Sequence, residues 1–82
     1  MTKFYLMPTG EQNQKSFYGK AYFEQYENGE QVLFSYDTPI LKRTASGEIF
    51  RIWNKWSLTT GKHIKAFCGL DKKQFEKLPF AG

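Results

Sequence analysis

The chain has 82 residues, room for one domain and one thin core, and its packing capacity lies in eight Phe, five Tyr and two Trp. A single cysteine, Cys68, and a single histidine, His63, exclude an internal disulfide framework and a structural zinc site. The net charge of +4 is uneven: residues 1–40 hold three lysines against five carboxylates (−2), and residues 41–82 hold nine cations against three carboxylates (+6), a pattern that marks a basic face attractive to nucleic acid, anionic ligands or acidic proteins.

In chain order, Phe4–Met7 reads as a short strand. Its four apolar residues before Pro8 are too few for a signal-peptide core or a membrane span, so a cytoplasmic protein with no membrane partner is expected. Pro8–Lys15 is polar and reads as a loop. Asn28-Gly29 is the strongest turn signal, because both residues tolerate positive φ in a two-residue type I′ hairpin. Centred there, the hairpin pairs Ala21 with Tyr36, Phe23 with Phe34 and Gln25 with Val32 on the core side. Tyr22, Glu24, Tyr26, Gln31, Leu33 and Ser35 then face the other way, with Leu33 out of place and Glu27 opposite Glu30. Ala45-Ser46-Gly47 is a three-residue loop joining Ile40–Thr44 to Glu48–Trp53, and Asp37-Thr38-Pro39 is a corner or strand start.

The last third turns helical. Ser57, Thr59 or Thr60 caps a helix to Cys68 with Ile64, Phe67 and Cys68 on its inner face, and Gly69 suits the position after it. Asp71 and Gln74 have capping-box spacing for a second helix, with Phe75 and Leu78 inward and Pro79 as its stop. The fold expected is α+β: an antiparallel meander of four to five strands with one or two short C-terminal helices packed on one face. It forms one domain over 1–82, with strand and loop in 1–16, sheet in 17–56 and helices in 57–79. An edge strand at Phe17–Tyr22 could pair with its twin, so monomer and homodimer are both open.

Catalytic patterns are weak. His63 and Cys68 lie five residues apart on one helix, about 140° around its axis, so they do not share a face. Cys68 reads as a small core residue and His63 as solvated between Lys62 and Lys65. No phosphate loop, nucleotide fingerprint, nucleophile elbow or metal-ligand cluster occurs, and neither enzyme activity nor a cofactor is expected. The stretch Lys42–Lys65 is more informative. Arg43, Arg51, Lys55, Lys62 and Lys65 can neutralise phosphates, Trp53, Trp56 or Tyr36 can stack on bases, and His63 can contact an anion. Against this, both indoles can simply wedge helix against sheet.

The run Ser35-Tyr36-Asp37-Thr38-Pro39-Ile40, then Trp53 and Trp56-Ser57, then Thr59-Thr60-Gly61-Lys62-His63-Ile64-Lys65-Ala66-Phe67, resembles a family of short domains of unknown function. Those domains occur in phages, conjugative elements and gut-type Gram-positive bacteria. The likeness spans about residues 17–70. It implies a mobile-element setting and no particular chemistry. Three functional expectations follow. The first is a non-catalytic module binding nucleic acid, a single strand or an RNA–DNA intermediate, through Arg43, Arg51, Trp53, Lys55, Trp56, Lys62, His63 and Lys65. The second is an anti-defence inhibitor, for example of CRISPR systems, or an adaptor binding a host protein, with Glu24, Glu27 and Glu30 mimicking phosphate at the hairpin tip. The third is a weak hydrolase or nucleotide-binding protein using Asp37, Glu48 and His63.

Overall fold

A computed structural model describes residues 1–6 and 20–81. The sequence-expected loop Pro8–Lys15, Met7 of the first strand, and residues 17–19 of the expected edge strand lie outside them. Five strands, β1 (Thr2–Tyr5), β2 (Ala21–Gln25), β3 (Gln31–Ser35), β4 (Thr38–Arg43) and β5 (Ile49–Arg51), precede α1 (Leu58–Cys68) and α2 (Lys72–Glu76). The strands form one antiparallel sheet in sequential order, the expected α+β meander.

Turn chemistry sets the register. At Asn28-Gly29 the loop is three residues long: Tyr26 and Glu30 close it, Gly29 N–H donates to Tyr26 C=O, and Gly29 alone takes positive φ, at 90°. Asn28 keeps ordinary φ and uses its side-chain oxygen to accept from Glu30 N–H. The extra loop residue shifts the expected pairing by one: Ala21 faces Ser35, Tyr22 faces Phe34 and Phe23 faces Leu33. A one-residue slip moves every side chain of a strand to the opposite face. Leu33 and Ser35 therefore face the core, while Val32 and Phe34 face away. Glu27 is in the loop and not opposite Glu30, whose carboxylate meets Lys42 at 3.5 Å.

The loop at Ala45–Gly47 closes as expected, with Gly47 at φ 97°. The two-residue turn instead joins β3 to β4, with Tyr36 (φ 52°) and Asp37 (φ 65°) both left-handed. Such backbone costs non-glycine residues about 1–2 kcal/mol each. Here it is held by Tyr36 N–H donating to Lys20 C=O and by Tyr22 O–H donating to Asp37 at 2.8 Å. That bond to a carboxylate, with burial second, pushes the Tyr22 phenol up to about 12. Within β4 the register slips between Leu33 and Phe34, leaving Ile40 as the extra residue of a bulge. Both Ile40 and Leu41 are consequently buried.

Alternating rows cross the sheet. Phe4, Phe23, Leu33, Leu41 and Arg51 share the helix-facing side, as do Gln25, Gln31, Arg43 and Ile49. Helix α1 packs there through Thr60, His63, Ile64 and Phe67, a stripe at i, i+3, i+4 and i+7. Ser57 caps its start and Gly69, at φ 77°, its end. Asp71 and Gln74 form the expected capping box of α2, which buries Phe75. Leu33, Ile40, Leu41, Ile64, Phe67 and Phe75 make the core, with Trp53 and Trp56 packed against it. Beyond β5, Pro79 C=O accepts from Arg51 N–H and Ala81 N–H donates to Arg51 C=O, so the C-terminal segment bridges that edge of the sheet at Arg51.

Candidate functional site

The two halves of the sequence motif meet in space. Ser35, last residue of β3, lies under the first turns of α1, where its hydroxyl is 2.8 Å from His63 Nδ1 and 3.2 Å from Thr60 Oγ1. Ser35, Thr60 and His63 are all buried. Burial disfavours the charged imidazole and holds the His63 pKa below its ordinary value. Tyr36 then leaves the sheet in its left-handed conformation, with its ring centroid 5.8 Å from that of His63 and the Lys20 ammonium 5.4 Å from the Tyr36 ring centroid. The sequence reading placed His63 in solvent. The structure buries it because Thr60, His63, Ile64 and Phe67 form the inner stripe of the helix.

The other expected binding residues divide into two groups. Arg51 is buried at the end of a core row, its guanidinium 4.4 Å from the Phe75 ring centroid and 4.8 Å from that of Phe80. Arg43 donates from Nε and one terminal nitrogen to Gln31 Oε1, at 2.9 and 2.6 Å, and lies over Phe67. Trp56 packs on Phe75 and against Gly61, and Trp53 is half-buried on the core. These side chains serve packing: the guanidinium groups lie over the rings of Phe67, Phe75 and Phe80, and the indoles pack against the core. Lys55, Lys62 and Lys65 are exposed. So are Lys72, Lys73 and Lys77, which lie beyond the basic and aromatic stretch Lys42–Lys65 of the sequence.

The groups expected for hydrolysis do not converge. Asp37 and Glu48 adjoin opposite ends of β4, whose six residues span roughly 20 Å. Cys68 Sγ donates to Ile64 C=O, and burial pushes its thiol up, away from the reactive thiolate. No described helix is long and apolar enough to cross a membrane.

The chain is thus a small α+β meander with Ser35, Thr60 and His63 gathered between β3 and α1. The model of a family of unknown function, DUF8033, matches residues 5–79, and the chain belongs to that family. No curated protein and no solved structure matches it.

Proposed function

We propose that this protein is a non-catalytic nucleic-acid-binding module that holds single strands through the lysines of its helical layer. The observation that carries the reading is a segregation of charge. Lys55, Lys62, Lys65, Lys72, Lys73 and Lys77 are all exposed, on the connector to α1, the two helices and the residue closing α2. Asp71 and Glu76 are the only carboxylates in that part of the sequence, and Asp71 already accepts from Gln74 N–H. A surface of this kind neutralises phosphates and releases their counterions. Tyr36, half-exposed beside α1 with Lys20 over its ring, offers a face for a base. The motif resemblance adds a mobile-element setting. The rival reading, an acidic hairpin tip occluding a host protein, is less well supported. Glu24 accepts from Tyr26 O–H, and Glu30 is engaged by Asn28 and Lys42.

The test is fluorescence anisotropy of a labelled single-stranded oligonucleotide across a salt series. The affinity is expected to fall steeply with salt. The double variant Lys62→Glu, Lys65→Glu is expected to lose at least about tenfold in affinity and to flatten the salt slope. Absence of binding at low salt, or binding insensitive to salt, overturns the proposal. Nuclease-resistant capture of one protein from a host lysate would then favour the rival.

A further inference from the structure

The two edges of the sheet are unlike. The β5 edge is bridged at Arg51 by Pro79–Ala81, whereas β1 is the terminal strand on the other side among the described residues. Leu6 N–H donates inward to Ala21 C=O, so the peptide groups of Thr2 and Phe4 also face β2. By the period of two, the N–H and C=O groups of Lys3 and Tyr5 point outward. Met1, Phe4 and Tyr5 are 68%, 43% and 60% exposed along this edge. An apolar edge strand with outward-facing peptide groups is a template for another strand.

We infer that the occupant of the β1 edge is a second copy of this chain, with the two β1 strands antiparallel and the twofold axis passing between the two Phe4 residues. In that register Lys3 of each copy exchanges two backbone hydrogen bonds with Tyr5 of the other, using the outward-facing groups. Phe4 meets Phe4 in the intervening closely spaced pair, extending the stack that Phe4 makes with Phe23 at 5.0 Å. Side-chain charge selects this register. It sets each Lys3 ammonium opposite a Tyr5 ring, the kind of partner Lys3 already has in Tyr22, 4.5 Å away. Centring the axis on Lys3 instead sets two ammonium groups opposite each other. The twofold axis stands perpendicular to the sheet, so both helical layers lie on one side of a continuous sheet.

Sedimentation equilibrium of the full chain without nucleic acid tests this separately from the proposed function. The 9.6 kDa mass is expected to double reversibly with concentration. Lys3→Pro, which removes an outward donor and leaves the β2 ladder intact, weakens the dimer about tenfold or more. Tyr5→Lys, which sets ammonium against ammonium, does the same, whereas Tyr5→Glu, which sets carboxylate against ammonium, retains the dimer. The last two variants lose the same ring, so their difference reports register and not folding. A single mass of 9.6 kDa up to about 1 mM, or equal weakening by Tyr5→Lys and Tyr5→Glu, overturns the inference.

Discussion

His63 shows how one side chain ties the motif to stability. Its ring is buried, with Nδ1 on the Ser35 hydroxyl, and desolvation holds its pKa below the ordinary 6.5. The unfolded chain therefore takes up this proton at higher pH than the folded one. The stabilising contribution is complete above the ordinary value and is lost as pH falls through it towards the folded value. Urea midpoints are expected to drop between about pH 7.5 and pH 5, and His63→Gln is expected to flatten that dependence. The burial itself was hard to read from sequence. Lysines on both sides of His63 suggested solvent, but helix neighbours point roughly 100° apart, so flanking residues say little about a side chain's surroundings. The better clue was Thr60, His63, Ile64 and Phe67 at helical spacing, which requires accepting two polar residues in a buried stripe.

At the scale of elements, α1 and the connector before it lock through Gly61 and Trp56. A β-carbon at Gly61 would run into the indole atom Cζ2 of Trp56, a rigid ring held on Phe75. Two effects compete in Gly61→Ala. Helix propensity favours alanine by about 1 kcal/mol, and overpacking opposes it by about 1–3 kcal/mol. The collision involves a ring that cannot bend away, so net destabilisation of about 1 kcal/mol is expected, read from urea denaturation with near-unchanged slope. Element order, both helix caps and the Ala45–Gly47 loop were legible, because Gly, Asp and Ser at those positions act locally. The register of β2 with β3 was not. Asn-Gly suits a two-residue turn and also a three-residue loop, and the choice depends on which face of β3 has a core to meet. Leu33, left facing solvent by the shorter turn, was the internal contradiction that pointed to the longer one. The same slip hid the approach of Ser35 to α1, and with it the meeting of the motif's two halves.

Across the whole molecule, cations gather on the helical layer, while Lys3, Tyr5, Tyr22, Phe34, Lys42 and Phe50 project from the opposite side of the sheet. The expected basic and aromatic surface is thus divided. Arg43, Arg51 and the indoles support the fold from within, and the exposed lysines remain for the proposed polyanion. Sequence charge correctly marked the second half as basic, but could not separate cations that reach water from cations that lie on rings. That separation depends on which strand positions face the helices.

In the inferred dimer, the short bridge from Pro79–Ala81 to β5 limits how far the chains can assemble. If the β1 edges pair as inferred, the bridge from Pro79–Ala81 to Arg51 leaves each copy one unbridged edge strand among the described residues, and end-to-end growth stops at a pair. Ala81→Pro removes the donor to Arg51 C=O and weakens the bridge on the β5 edge. Its expected signature is light scattering that rises with protein concentration, where the parent solution stays clear. On that inference, Pro79–Ala81 separate a finite complex from an open-ended ribbon.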